Sequence, residues 1–217
     1  MPAVLSVDLY SDVVCPWCLI GNERLEHVRV ALLPEVELRV THHPFMLDPS
    51  TPPEGHDVAA MLRQKYGADP ARMFAHVESA ARESGIPLDL SKQPRSYPTL
   101  AAHTLARWAR QHGKEREIVR ALHAAHFLEA RNVADPAVLA DIAAAHGLSR
   151  DEALALVSDE HALADTRRAA DEGVRRGVTG VPFFVLGGRL ALSGAQPEEV
   201  LKKAIALAVE RGLATSE

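Results

Sequence analysis

Strand-like sequence is confined to the two ends of this chain. Residues Ala3–Tyr10 (AVLSVDLY) mix β-branched, apolar and aromatic residues in rough alternation. Val36–His42 (VELRVTH) alternates cleanly, with Val36, Leu38 and Val40 on one side and Glu37, Arg39 and Thr41 on the other. Between them, from Pro16 to about Leu33, Leu19, Ile20, Leu25, Val28 and Leu32 recur near one helical face, and Pro34 supplies a stop. Residues 3–42 therefore predict a βαβ unit. Strand character returns at Val181–Leu186 (VPFFVL), where Gly187-Gly188 suits a two-residue turn at positive φ and RLALS (189–193) pairs back. Gln196-Pro197 opens a last helix with Val200, Leu201, Ala204, Ile205 and Ala208 on one face.

The middle of the chain reads differently. The four prolines of HPFMLDPSTPPEG (43–55) predict an extended loop, and residues 57–176 carry helical signals with no convincing strand. Ala101, Leu105, Trp108, Ala109 and His112 form one stripe, stopped by Gly113. Asp135-Pro136 is a helix start, with Val138, Leu139, Ile142 and Ala143 as its stripe and Gly147 as its end. Ser149-x-x-Glu152 is a capping box for the next helix. The expected fold is α/β, in the order βαβ…ββα with a large all-helical insertion. Residues 1–56 and 177–217 would make one discontinuous domain and 57–176 the inserted one.

The only two cysteines, Cys15 and Cys18, lie in SDVVCPWCLIG (11–21), where the first strand gives way to the first helix. Pro16 fits the first helical turn, so Cys15 falls at or near the N-cap, facing unpaired backbone N–H groups and the positive end of the helix dipole. Such a setting favours thiolate. Cys18 returns on nearly the same helix face, within reach of the Cys15 sulfur but deeper against the sheet. Cys15 is then the attacking sulfur and Cys18 the resolving one. A structural bridge over so short a loop would stabilise little. Two unreactive core cysteines remain an alternative, and Trp17 is read either as packing or as facing substrate. A zinc site wants four ligands. With no second cysteine pair it would need histidines; His42 and His43 diverge on a strand, while His123 and His126 could share a helix face. No metal and no cofactor beyond the dithiol is expected.

With 24 Lys and Arg against 29 Asp and Glu, the net charge of −5 gives no electrostatic reason to expect nucleic-acid or anionic-membrane binding. No run approaches the roughly 18 apolar residues of a membrane span. The N-terminal residues lack a basic leader and a long apolar stretch, so the expected location is the cytoplasm, where structural disulfides are rare.

Read together, SDVVCPWCLIG (11–21), HPFMLDPSTPPEG (43–55), AAHTLARWA (101–109), ARNVADPAVLADIAAAHGL (130–148) and GVTGVPFFVLGGRLALSGAQ (177–196) resemble the DsbA-like branch of the thioredoxin superfamily. Within it they are most similar to the FrnE-like proteins, beside the 2-hydroxychromene-2-carboxylate isomerases and kappa-class glutathione transferases. The resemblance covers nearly the whole chain and implies a thioredoxin-like fold. It also makes Val181-Pro182 a cis-proline loop beside the dithiol, although alone Pro182 would read as a trans proline starting a strand. There the Val181 backbone would pair with an extended substrate segment and Pro182 would keep metal from the sulfurs, with Pro16 and Trp17 completing the substrate-binding set. The family's buried acid, six residues before the first cysteine, is replaced by Leu9; Asp8 and Asp12 are near, with Asp8 on the opposite strand face.

The resemblance thus implies a thiol–disulfide oxidoreductase acting on disulfide-containing proteins or small thiols, with glutathione as a candidate co-substrate, as a monomer or homodimer. The alternatives are a glutathione-dependent isomerase or transferase, which needs no resolving thiol, and a non-catalytic chaperone or partner-binding module. On the dithiol reading, Cys15 is expected to be open to solvent and close to residues 181–182.

Overall fold

A computed structural model of the chain describes residues 2–32, 35–67 and 69–216, with Tyr66 and Ser216 described in their backbone only. The central strand β1 (Ala3–Ser11) pairs in parallel with β2 (Val36–Pro44), in register from Ala3↔Val36 to Ser11↔Pro44. Its other edge takes β5 (Phe183–Leu186) antiparallel, from Val7↔Leu186 to Tyr10↔Phe183, and, further along, β7 (Thr215–Ser216). Strand β6 (Leu190–Ser193) pairs with β5, so the order is β2-β1-β5-β6. A strand flanked on both edges and covered on both faces buries nearly every side chain, as Val4, Leu5, Val7, Leu9 and Tyr10 do.

Helix α1 (Pro16–Leu32) makes the parallel crossover and buries Leu19, Ile20, Leu25 and Val28. The expected stop at Pro34, like Leu33, lies outside the described residues. Helix α9 (Glu198–Glu210) contributes Leu201, Ile205 and Ala208 to the core shared by α1, β1 and β5, while Val200 faces outward, 37% exposed, contrary to its expected place on the buried face. Gly187 and Gly188 adopt φ of 54° and 67°, but Arg189 closes the turn, donating to the Leu186 carbonyl at 3.1 Å, and pairing resumes at Leu190. The turn therefore takes three residues, where the glycine pair alone predicted two.

Seven inserted helices among the described residues run between β2 and β5: α2 (Val58–Tyr66), α3 (Pro70–Glu83), α4 (Leu100–Gln111), α5 (Glu115–Phe127), α6 (Pro136–Ala145), α7 (Arg150–Leu156) and α8 (Glu160–Arg175). The Asp135 carboxylate caps α6 by accepting from Ala137 N–H, and Ser149 Oγ caps α7 by accepting from Glu152 N–H. The insertion is not wholly helical. Two-residue strands β3 (His56–Asp57) and β4 (Arg95–Ser96) form a separate antiparallel ribbon, too short for any alternation to mark them. In α4 the buried apolar residues are Ala102, Leu105, Ala106 and Ala109, with His103 and Thr104 buried among them; Trp108 is half-buried and His112 exposed, so the expected stripe is rotated.

The two halves share their packing. Leu19 and Ile20 of α1 join Val77 and Ala81 of α3 and Phe127 of α5 in one cluster. Val13, just after β1, joins the core of α4, α5 and α6. The start of α1 is thus held from both sides.

Candidate active site

Strand β1 ends at Ser11, and a tight turn follows in which Cys15 N–H donates to the Asp12 carbonyl at 3.2 Å. The Cys15 carbonyl accepts from Cys18 N–H at 2.9 Å and Leu19 N–H at 3.2 Å, which makes Cys15 the residue opening α1, with Pro16 as its first helical residue. The cysteines are unbridged thiols. Cys15 Sγ donates to the Val181 carbonyl at 3.8 Å, across 166 residues of sequence. The Val181–Pro182 peptide bond is cis. Pro182 is buried against α1: a methyl group on Gly21 would stand 2.9 Å from Pro182 Cγ.

Cys15, Cys18, Pro16, Val181 and Pro182 therefore converge. The expected openness of Cys15 does not hold, since it is 4% exposed against 1% for Cys18. The Val181 carbonyl lies over its sulfur and the Asp12 turn folds its backbone in. Trp17 is half-buried against the cluster shared by α1 and α3, its ring 5.3 Å from that of His76. Packing thus accounts for part of its surface.

Cys18 is the more deeply set thiol. Burial first, then its hydrogen bond to the Cys15 sulfur and that sulfur's charge, push its pKa well above the ordinary thiol range. Asp12 N–H donates to Cys18 Sγ at 3.5 Å, opposing the rise.

The residue that reading the sequence underrated is Asp12, 1% exposed. One carboxylate oxygen accepts from Leu47 N–H at 2.7 Å and the other lies 3.2 Å from His103 Nε2, brought in by α4. Its carbonyl lies 3.3 Å from His123 Nε2 of α5. A carbonyl only accepts, so His123 carries its proton on Nε2. His123 is pushed down to about 4, chiefly by burial, as is His126; His42 falls to about 3 for the same reason. The hint of this cluster is a histidine between the buried Ala102 and Leu105 of α4, yet nothing in the sequence says what it meets. Asp8, by contrast, pairs with His43 at 2.7 Å, and that hydrogen bond lowers its pKa; Leu9 is core. Among the described residues no three His, Cys, Asp or Glu side chains are grouped to hold a metal ion, and no helix is long and apolar enough to cross a membrane.

The family model for the DSBA-like thioredoxin domain matches residues 6–206. Among solved structures, a probable DsbA oxidoreductase from Streptomyces coelicolor is similar with a TM-score of 0.85 at 32% identity, over 95% of this chain and 90% of its own. A 2-hydroxychromene-2-carboxylate isomerase is similar in fold, with a TM-score of 0.75 at 16% identity over 95% and 97%. So is the cytosolic disulfide reductase DsbM from Pseudomonas aeruginosa, solved with GSH, with a TM-score of 0.61 at 18% identity over 95% and 98%.

Proposed function

The chain belongs to the family of DsbA-like thioredoxin domains, and from that premise we propose that it exchanges disulfides through Cys15 and Cys18, with Cys15 as nucleophile and Cys18 as resolving thiol. The observation that carries the reading is the meeting of three elements: Cys15 at the opening of α1, Cys18 buried behind it, and the Val181 carbonyl 3.8 Å from the Cys15 sulfur. The helix start offers N–H groups to an anion. The raised pKa of Cys18 keeps that thiol protonated until it is needed, which separates the two roles.

In this reading an extended segment bearing a disulfide lies along the Val181 backbone, in contact with Pro182, Pro16 and the uncovered part of Trp17. Cys15 attacks one sulfur and expels the other; Cys18 then displaces the bound sulfur and closes the Cys15–Cys18 disulfide. Proteins or small thiols in the cytoplasm are the proposed partners, with glutathione as co-substrate. The net charge of −5 argues against nucleic acid as one of them.

The test is trapping. Cys18→Ser should accumulate mixed disulfides on Cys15 in cell extract, and Cys15→Ser should accumulate none. Catalysis that survives Cys18→Ser but not Cys15→Ser would instead indicate a glutathione-dependent isomerase or transferase. Partner binding indifferent to both substitutions would indicate a chaperone.

A further inference from the structure

Strand β2 is an edge of the main sheet, paired with β1 on one side only among the described residues. Its odd-numbered residues turn their backbone toward β1. The Glu35 carbonyl, just before the strand, accepts from Ala3 N–H at 3.1 Å, and Phe45 N–H, just after it, donates to the Ser11 carbonyl at 3.0 Å. The even-numbered residues therefore turn theirs outward. At the C-terminal end that outward side is taken, since Glu115 accepts from His42 N–H at 3.3 Å and Arg110 donates to the His42 carbonyl. Further back, the outward N–H and C=O groups of Val36, Leu38 and Val40 have no hydrogen-bond partner among the described residues. An edge left in this state is a template for another strand. Its two faces differ. Leu38 is in the core shared by α1, β1, β5 and α9, with Val36 and Val40 at its margin. On the other face Glu37 and Arg39 pair at 3.0 Å with side chains 42% and 52% exposed.

We propose that this edge joins a second copy of the chain, the two β2 strands running antiparallel about a two-fold axis at Leu38, so that two sheets become one. Charge selects the register. A two-fold axis at Glu37 or at Arg39 sets that residue against its own copy, and one at Val36 sets Glu37 against Glu35. An axis at Val40 opposes Leu38 to His42, whose backbone groups are already bonded. An axis at Leu38 places Glu37 of each copy opposite Arg39 of the other, and opposite charges across a strand pair attract. The same register sets Leu38 against Leu38 and Val36 against Val40, apolar with apolar on the core-facing side. Leu38 N–H of each copy then donates to the Leu38 carbonyl of the other, and Val36 and Val40 exchange their two bonds. The contact is isologous and closes as a dimer.

Helix α1 adds apolar surface beside this edge. Val30 is 56% exposed and stands one turn past Glu26, whose carboxylate accepts from Arg116 of α5 at 2.9 Å. That flank of α1 faces the helix that also supplies Glu115 to the edge at His42. The candidate active site lies elsewhere: Val181, against the Cys15 sulfur, precedes β5, on the far side of β1 from β2. Pairing through β2 therefore leaves both copies' thiols uncovered by the partner.

The test is sedimentation velocity over a dilution series in reductant, which removes intermolecular disulfides. The wild-type chain should pass from monomer to dimer as concentration rises. Arg39→Glu and Glu37→Arg each set like charges opposite one another in two places and should weaken association about tenfold or more. The double variant Glu37→Arg/Arg39→Glu exchanges the signs and should recover it. An equimolar mixture of the two single variants should also dimerise, because each supplies the charge that the other lacks. Amide exchange gives a second readout. At dimer-forming concentration Leu38 and Val40 N–H should exchange about tenfold more slowly in the wild type than in Arg39→Glu, while Glu37 N–H, turned toward β1, should not differ. A wild-type chain that stays monomeric, single variants that associate as the wild type does, or a double variant that does not recover overturns the proposal. Should a single variant fail to fold by circular dichroism, the wild-type Leu38 and Val40 amides decide: exchange that slows with concentration supports the dimer, and exchange independent of concentration overturns it.

Discussion

Gly21 lacks a side chain because Pro182 stands where one would go. The β-carbon of an alanine there would meet Pro182 Cγ at 2.9 Å and the Phe184 ring at 3.4 Å. Helix propensity alone would make Gly21→Ala stabilising by about 1 kcal/mol. Overpacking a closed contact costs about 1–3 kcal/mol, so a net loss of about 1 kcal/mol is expected in urea unfolding. The displaced residue adjoins Val181, so the same variant should also change the alkylation rate of Cys15; a stabilised protein with unchanged thiol reactivity would refute this reading of the contact. Arg24 is the comparable case among polar residues. It is 9% exposed and donates to Ser84 Oγ at 2.8 Å, the Ala195 carbonyl at 2.8 Å and the Ala80 carbonyl at 3.4 Å, tying α1 to α3 and to the loop after β6. Arg24→Met keeps much of the volume and loses these bonds. At about 1.5–3 kcal/mol for a hydrogen bond to a charged group, a destabilisation of about 3 kcal/mol is expected in the same assay.

Capping gives a smaller effect of the same kind. Asp135→Ala removes the acceptor for Ala137 N–H at the start of α6 and should cost about 1 kcal/mol, read as a lowered thermal midpoint. That helix start was legible because its signal is local: an acid, a proline, then an apolar stripe. The order β1, α1, β2 and the closing β5, β6, α9 were legible for the same reason, each carrying its own periodicity. Strands β3 and β4 were not, because two residues cannot display an alternation. The α4 stripe was misplaced because its alanines score as apolar on whichever face they lie; the neighbours α5 and α8 decide which are covered. The cysteines could be picked out by their place at a strand–helix junction. Their surroundings could not. His103 and His123 reach Asp12 across 91 and 111 residues, a proximity created only when the inserted helices pack against the turn before α1.

Three neutral histidines buried together make the whole molecule sensitive to acid. His42 titrates near 3 and His123 and His126 near 4 in the folded chain, against 6.5 when exposed. The unfolded chain therefore binds more protons between these values, so stability is intact above about pH 6.5 and is lost as the pH falls toward 4. Each group contributes a slope of up to about 1.4 kcal/mol per pH unit in that window. Urea midpoints should fall steeply between pH 6.5 and 4.5, whereas a flat profile would mean that these rings are not buried as neutral species. The proposed function rests on a different inequality, between two thiols that are both covered. The most direct measurement is site-resolved alkylation of the folded, reduced protein with iodoacetamide at neutral pH, followed by mass spectrometry. Cys15 should be modified at least tenfold faster than Cys18. Two thiols that react only after denaturation, or a Cys18 that reacts first, would contradict the assignment of Cys15 as the attacking sulfur.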